Sequence, residues 1–286
     1  MLYGVAAYGF WGAVPLFWKQ LTHLPAVEIL SHRIVWGVLA FAALALVRGR
    51  MTDVRAALVD PKTRLTLLAS AALLGCNWLV FIYSVNTGRV LHASLGYFIT
   101  PILSVVLGMV VLKERPERPL LVAVGLGAIG VVLLTVRAGG LPWISLVLAT
   151  SFGLYGLLRK TVTADALPGS TLETLFMVPL AAGYLIWLTL QGRGQLVSGD
   201  VSTLMLLLVT GPVTALPLLW FSNAVRRVTL TTLGFLQYLA PVGQFLLAVI
   251  VYREAFGAAQ LAAFACIWLA LAIFTITSLR RRTTQD

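Results

Sequence analysis

Charged residues are scarce in this sequence. Only 11% of the 286 residues are Asp, Glu, Lys or Arg, and 59% are apolar, whereas soluble domains carry roughly 25% charged residues. Nine of the ten main charge-free runs are at least 18 residues long, the length of a candidate transmembrane helix. This excludes a soluble globular enzyme and a disordered protein. The runs are 1–18, 34–47, 65–88, 90–112, 119–136, 138–158, 174–192, 201–225, 228–252 and 255–279.

Cysteine is nearly absent as well. Cys76 and Cys266 both lie in apolar runs, without metal-ligand spacing, which excludes a disulfide scaffold and favours buried hydrophobic roles. The sequence also lacks a Walker A motif, a G-x-S-x-G elbow and an H-E-x-x-H motif. The G-x-G-x-x-G match at 125–130 lies inside an apolar run, where close helix packing explains it better than a dinucleotide site. We therefore expect no enzyme activity, no metal and no cofactor.

The positive charges are unequally divided between alternate loops. The net charge is +11, but the charges flank apolar runs, so we expect a lipid bilayer and no nucleic acid as the partner. Ten spans place fifteen lysines and arginines on one side: Arg48, Arg50, Arg55, Lys62, Arg64, Lys113, Arg115, Arg118, Arg159, Lys160, Arg226, Arg227, Arg280, Arg281 and Arg282. Five lie on the other: Lys19, Arg89, Arg137, Arg193 and Arg253. Because basic residues are retained in the cytoplasm during insertion, we expect a multi-pass protein of the cell inner membrane with both termini cytoplasmic.

The apolar runs predict an all-α integral membrane protein, because lipid-exposed backbone must satisfy its own hydrogen bonds. Most of the predicted connections are short, so sequential helices should be antiparallel neighbours. The predicted spans are 2–19, 25–47, 65–86, 91–112, 118–137, 141–160, 170–191, 203–224, 229–252 and 257–279.

An internal repeat divides these ten spans into two sets of five. Lys113-Glu114 and Arg253-Glu254 both follow a proline at the same distance, with an offset of 140 residues. We predict a first repeat over 1–137, a second over 141–279 and a basic cytoplasmic tail over 280–286. Five helices is an odd number, so the two copies insert with opposite orientation. Inverted repeats are typical of secondary transporters, whose site lies between the halves near the midplane.

Charge inside the second span needs an explanation. Arg33 lies eight residues beyond Pro25, roughly 12 Å into a core about 30 Å thick. An arginine at that depth costs about 3 kcal/mol or more unless it is paired or faces water. It either makes a structural ion pair or carbonyl contact, or it acts directly on an anionic substrate group or in gating. The gating and ion-pair candidates are Lys19, Glu28, His32, Arg33 and Glu173.

Two of these candidates could also handle protons. Glu28 and His32 are four residues apart and share a helix face, so they could pair and exchange a proton. The alternatives are helix-end electrostatics for Glu28 and simple packing for His32. Glu173 is the approximate repeat mate of Glu28 and a candidate partner for Arg33.

Polar and aromatic stripes on several spans predict a cavity. Tyr8, Trp11, Pro15 and Trp18 share one face of the first span. Central prolines mark matching stripes on the fourth and ninth. Buried interhelical hydrogen bonding or plain packing is the alternative to cavity lining. The cavity candidates are Trp11, Pro15, Trp18, Asn77, Trp78, Phe81, Tyr97, Ser104, Tyr155, Trp220, Asn223, Gln237 and Gln244. Aromatic rings beside sparse amides suit an amphipathic metabolite, an amino acid or a drug.

Three motifs carry a family resemblance that covers nearly the whole chain. They are Trp11-Gly-x-x-Pro15-x-x-Trp18-Lys19, Glu28-Ile-Leu-x-His32-Arg33-x-x-Trp36 and Pro101 with Lys113-Glu114. On these the sequence resembles the RarD branch, the chloramphenicol-sensitivity proteins, of the drug/metabolite transporter or EamA-like superfamily. The resemblance implies two EamA-type five-helix repeats and a permease that exports metabolites or drugs. In the second half the basic-acidic pair is Arg253-Glu254, and the match there is looser.

The sequence thus predicts a secondary-active transporter that works by alternating access of two inverted halves. The driving gradient is either the substrate's own or one of protons. A membrane scaffold or sensor subunit without flux is the alternative. The sequence identifies neither the substrate nor the direction of transport.

Overall fold

The computed structural model describes residues 1–87, 89–137 and 143–251, with isolated helical positions at 261, 265–266, 268–269, 272–273 and 276–277. Within those residues the chain forms helices joined by turns and contains no strand. The helices are α1 (Leu2–Ala13), α2 (Pro15–Trp18), α3 (Ala26–Val47), α4 (Met51–Val59), α5 (Pro61–Asn86), α6 (Val90–Val110), α7 (Arg118–Arg137), α8 (Trp143–Thr161), α9 (Ala166–Leu190), α10 (Gln195–Ser198), α11 (Val201–Arg227), α12 (Leu230–Gln237) and α13 (Leu239–Leu246).

Among the described helices, α3, α5, α9 and α11 are long and apolar enough to cross a membrane. They contain 22, 26, 25 and 27 residues, and about 20 residues suffice to cross the hydrocarbon core. The prediction of an all-helical chain with transmembrane helices is confirmed at this level. The Arg253-Glu254 pair, the tail over 280–286 and most of the tenth predicted span over 257–279 lie outside the described residues.

Prolines interrupt two of the predicted spans. The first is broken at Val14, directly before Pro15, because proline lacks the N–H that a continuous helix requires. The ninth is broken at Tyr238, three residues before Pro241. A proline ring clashes with the carbonyl four residues earlier, so the break falls where that clash is expected. The interruptions leave short helical segments, α2 and α13, beside the candidate site.

Aspartate caps begin two of the long helices. The Asp60 side chain accepts from the Thr63 N–H at 2.9 Å at the start of α5, and the Asp200 side chain accepts from the Thr203 N–H at 2.8 Å at the start of α11. These bonds satisfy N–H groups that have no partner within the helix. Hydrogen bonds from Thr63 lower the pKa of Asp60, and the Ser202 hydroxyl together with Thr203 lowers the pKa of Asp200.

The helices pack in a pattern that brings the parts of the chain before residue 138 and after residue 142 together. Helix α1 packs on α11 and α13, α3 packs on α9 and α11, α5 packs on α8 and α9, and α6 packs on α8 and α12. Residues from 1–137 therefore contact residues beyond 143 throughout the bundle. The largest buried cluster contains side chains from both parts of the chain.

One end of the bundle is rich in arginine. Asp165 accepts from Arg50 at 2.5 Å and pairs with Arg226 at 2.9 Å. Arg48 and Arg227 line the same surface recess. We call this the arginine-rich end.

Other connections meet at the opposite end of the bundle. There the Glu28 carboxylate accepts from the Gln195 N–H at 2.7 Å. The Asn86 amide donates to the Leu24 carbonyl at 2.9 Å. We call this the opposite end, and these two contacts define it.

Candidate functional site

A cavity of about 70 Å³ lies inside the bundle, several times the space that one water molecule needs. Its walls combine aromatic rings, four uncharged polar side chains of Thr, Asn and Gln, and one arginine. The lining residues are Tyr8, Trp11, Val14, Trp18, Arg33, Asn77, Trp78, Phe81, Tyr97, Thr100, Phe152, Gln237, Ala240 and Gln244.

Part of the cavity wall lies in the half of the bundle nearer the opposite end. Trp18 ends α2, and Arg33 lies in the first half of α3, which begins close to Leu24. Trp78 lies in the second half of α5, which runs toward Asn86. Each of these positions is closer to the opposite end than to the arginine-rich end.

Arg33 is the central charged group of this cavity. Only 8% of its surface is exposed. Its Nε donates to the Thr214 Oγ1 at 3.0 Å. Its Cζ lies 3.9 Å from the Trp78 ring centroid and 5.0 Å from the Trp18 ring centroid, so aromatic rings stabilise the cation through cation–π contacts.

The glutamines of the cavity are held by neighbouring helices. Gln237 Oε1 accepts from the Ser104 hydroxyl at 3.1 Å, which ties α12 to α6. Gln244 Nε2 donates to the Trp11 carbonyl at 3.3 Å, which ties α13 to α1. Each amide therefore keeps one polar atom that these hydrogen bonds do not use.

Asn77 is held by α8 in the same way. Its Nδ2 donates to the Leu148 carbonyl and to the Ser151 Oγ, both at 3.0 Å. Both bonds use the amide nitrogen, and neither involves the side-chain oxygen Oδ1. The amides thus combine both interpretations of the sequence, because each lines the cavity and also bonds between helices.

A second buried polar cluster lies toward the arginine-rich end. Arg159 Nη1 lies 3.7 Å from the Glu173 Oε1, and both side chains are 0% exposed. The Tyr155 hydroxyl donates to Glu173 at 3.3 Å, and the Ser70 hydroxyl also donates to it. Arg159 further donates to the Ala166 carbonyl at 3.3 Å. This cluster, the Arg159–Glu173 pair, joins α5, α8 and α9 and does not line the cavity.

Many of the predicted site residues meet at the cavity. Those that line it are Trp11, Trp18, Arg33, Asn77, Trp78, Phe81, Tyr97, Gln237 and Gln244. The predicted residues outside the lining are Pro15, Lys19, Glu28, His32, Ser104, Tyr155, Glu173, Trp220 and Asn223. One of these supports the wall from behind, since Ser104 bonds to Gln237. Trp220 packs on Phe10, which does not line the cavity.

The structure does not pair Arg33 of the second predicted span with Glu173, its proposed partner. Glu173 lies with Arg159, whereas Arg33 lies with Thr214. Glu28 bonds to a backbone N–H of the opposite end. His32 is 1% exposed, and neither ring nitrogen has a hydrogen-bond partner within the described residues.

Three important residues were not predicted as site residues. Arg159 was counted among loop charges because it stands beside Lys160 at the edge of an apolar run. Glu173 could have identified Arg159 from the sequence, because a carboxylate beside a long apolar run needs a buried cation as its partner. Thr100 and Phe152 also line the cavity. Thr100 lies three residues after Tyr97 on the same helix face, and Phe152 lies 141 positions after Trp11, close to the offset of the predicted repeat.

Comparison with known proteins points to one family. The profile described as "EamA-like transporter family" matches residues 1–136. "Protein RarD" of Streptomyces exfoliatus is 45% identical over 281 residues, covering 98% of this chain and 89% of that protein. An "Uncharacterized transporter" of Vibrio cholerae is 46% identical over 280 residues, covering 98% of this chain and 93% of that protein.

A solved crystal structure has the same fold. It superposes with a TM-score of 0.74 at 20% sequence identity, and the match covers 98% of this chain and 97% of that one. The apolar helices and the family match define the class, a multi-pass helical membrane protein. The chain belongs to the RarD branch of the EamA-like transporter family.

Proposed function

We propose that this protein is a secondary-active permease that exports small metabolites, amino acids or drugs across the cell inner membrane. It works by alternating access of two inverted five-helix halves, 1–137 and 141–279, with 280–286 as a basic cytoplasmic tail. The observation that carries the proposal is the internal cavity, whose walls come from both halves. A site between two inverted halves is the usual arrangement in secondary transporters.

The packing of the helices supports the inverted repeat. In the proposed repeat α1 corresponds to α8, α3 to α9, α5 to α11 and α6 to α13. The α1–α11 contact then has the α8–α5 contact as its counterpart, and the α1–α13 contact has the α8–α6 contact. The α3–α11 contact likewise becomes α9–α5. Each of these pairs packs together. The family profile also ends at residue 136, close to the proposed boundary at 137.

Two buried side chains make corresponding hydrogen bonds across these helix contacts. Arg33 and Glu173 are 140 positions apart. Arg33 bonds to Thr214 across the α3–α11 contact, and Glu173 bonds to Ser70 across the α9–α5 contact. At the offset of 140, Glu173 aligns with Arg33 rather than with Glu28. The two aligned positions hold buried charges of opposite sign, each bonded to a hydroxyl of the other half.

Contacts between connections support the proposed orientation. The arginine-rich end gathers connections that the charge count assigns to the cytoplasm. Arg227 also lies over the Tyr3 ring, with its Cζ 4.9 Å from the centroid, so the first residues belong to that end. Ten spans then bring the C-terminus to the same side.

The position of the cavity supports a specific state in the transport cycle. Trp18, Arg33 and Trp78 place part of its wall toward the opposite end, and the Arg159–Glu173 pair lies closer to the arginine-rich end than these residues do. We assign that pair as the closed cytoplasmic gate and the described conformation as outward-facing. The inward-facing state requires α8 and α9 to separate near Arg159, and a two-state exchange of this kind produces alternating access.

Flux into proteoliposomes tests the function directly. The panel contains amino acids, chloramphenicol and other aromatic solutes, each with and without a pH gradient. Movement of at least one solute down or against a gradient is the expected result. A protein that binds solutes but moves none would instead be the scaffold or sensor alternative.

The variants Glu28→Gln and His32→Gln test proton coupling. Unchanged pH-gradient-dependent flux in both variants would contradict the hypothesis that Glu28 and His32 handle the proton.

Labelling of single cysteines tests the inverted topology. Gly49 and Gly192 have positive φ angles of 61° and 68° in the turns after α3 and α9, which supports the pairing of these turns in the proposed repeat. Cysteines at the exposed positions Arg48 and Gln191, in a variant without Cys76 and Cys266, should react from opposite sides of the membrane. Reaction of both from the same side would contradict the inverted repeat.

A further inference from the structure

The charge of Arg33 has no counter-ion in the described part of the chain. No described carboxylate lies within 4.0 Å of it, since the described ion pairs involve Arg50, Arg159 and Arg226. A buried guanidinium without an opposite charge is costly in a membrane protein. The two tryptophan rings and Thr214 reduce that cost, but none of them neutralises the charge.

The contacts of Arg33 leave one edge of its guanidinium available. Trp78 and Trp18 lie against the group, and Nε is used by Thr214. The two terminal nitrogens make no hydrogen bond within the described residues, and Arg33 lines the cavity. Those two nitrogens form the edge that receives a carboxylate with two parallel hydrogen bonds. The site is therefore shaped for an anion that enters from the cavity and presents two oxygens to this edge.

The remaining walls define the rest of such a molecule. Rings from Trp11, Phe81, Tyr97 and Phe152 form most of the surface, and rings of this kind pack against an aromatic or apolar body. The described lining contains no carboxylate. A ligand ammonium group would therefore face Arg33 without a compensating anion.

We infer that the cavity selects a monoanionic amphipathic solute, whose carboxylate or similar acid group bonds to the terminal nitrogens of Arg33 and whose aromatic body packs among the rings. This inference rests on the proposed function, because it names the class of solute that the transporter carries. It ranks organic acids above zwitterionic amino acids, neutral amides and organic cations.

A series of ligands with one body and different charges tests the selection. Calorimetric titration of the full-length protein in nanodiscs at neutral pH compares 3-phenylpropanoate, 3-phenylpropanamide, phenylalanine and 3-phenylpropylamine. The anion should bind, the amide should bind about tenfold to about a hundredfold more weakly, phenylalanine should be intermediate, and the amine should not bind. Equal binding of anion and amide, preference for the amine, or no binding of any of the four would each overturn the inference.

Variants locate the selection on Arg33. Arg33→Gln should lose the preference for the anion over the amide. Arg33→Lys should keep the preference at lower affinity, because a lysine retains the charge but not the paired nitrogens. Arg48→Gln removes an equal charge at the exposed arginine-rich end and should leave binding unchanged. An unchanged preference in Arg33→Gln, or a loss in Arg48→Gln, would contradict the assignment.

Failure of this inference is distinguishable from failure of the proposed function. Flux of neutral solutes without any preference for anions would refute the selection and leave the transporter intact. Anion binding that depends on Arg33, without flux of any solute, would support the selection and refute transport.

Discussion

Two arginines are buried in the described part of the chain, and their surroundings differ. Arg159 is fully buried beside a carboxylate, with hydroxyl groups completing the shell around that carboxylate. Arg33 is nearly as buried, but aromatic rings and one hydroxyl surround it and a cavity lies along it. The first charge is neutralised by the protein, and the second is stabilised without being neutralised.

This difference separates a pair that stabilises the closed conformation from a cation that binds the solute. A neutralised pair that excludes water holds helices together, and removing one partner leaves an uncompensated charge. A cation that faces a cavity can be hydrated when the site is empty and can take an anion when the site is filled. The Arg159–Glu173 pair should therefore govern stability, whereas Arg33 should govern ligand choice.

Breaking the pair should have the largest effect on stability. Glu173→Gln leaves Arg159 buried without its counter-charge, so we expect a loss of roughly 3–5 kcal/mol, seen as a lower unfolding midpoint of the purified protein. The double variant Arg159→Met with Glu173→Leu should recover most of the loss, because it removes both charges. If Glu173→Gln unfolds at the wild-type midpoint, the pair does not stabilise the folded protein.

Crowding the pair should have a smaller effect. A Cβ on Gly169 would collide with the Arg159 guanidinium, which is fully buried and has little room to move. We expect Gly169→Ala to lose about 1–3 kcal/mol. Gly183→Ala on the same helix is the matched control, because nothing lies within 4 Å of its added Cβ. Equal midpoints for the two variants would show that the Arg159 surroundings are adaptable.

Neutralising the cavity arginine should cost less stability than breaking the pair. Arg33→Gln loses the Thr214 bond and the cation–π contacts, but it also removes a charge without a counter-ion. These effects oppose each other, so we expect a change of about 1 kcal/mol or less in the same unfolding measurement. A loss as large as that of Glu173→Gln would contradict the distinction between the two arginines.

The smallest effect should come from the cap of α11, the helix that supplies Thr214. The pKa of Asp200 is lowered in the folded state, so its stabilising contribution is present above the usual pKa of aspartate, about 4, and is lost as the pH falls through the lowered pKa. Asp200→Ala should lower the unfolding midpoint slightly at neutral pH, and the difference should shrink at strongly acid pH. A difference that does not depend on pH would exclude the charge as its cause.

The helices were largely predictable because lipid restricts a spanning chain to few structures. The breaks near Pro15 and Pro241 were not predicted, because proline also lies inside unbroken helices, as Pro101 does in α6. Arg33 was recognisable as a candidate because it interrupts an apolar span. Arg159 was not, because its neighbour Lys160 made both resemble loop charges.

The pairing of buried groups could not be derived from one sequence. Glu173 was proposed as a partner of Arg33, but it lies with Arg159 instead. Partner choice depends on how helices rotate and pack across the two halves, and helical periodicity fixes only which residues of one helix share a face. The same limit applies to Thr214, whose role appears only when α11 is placed beside α3.

The flux of a permanently charged anion tests most directly whether Arg33 binds the transported solute. Proteoliposomes containing wild type, Arg33→Gln or the control Arg48→Gln are loaded with 2-phenylethanesulfonate, which crosses lipid poorly on its own. Wild type and Arg48→Gln should exchange it at similar rates, and Arg33→Gln should be at least about tenfold slower. Equal exchange by Arg33→Gln and wild type would contradict the central claim that Arg33 binds the transported anion.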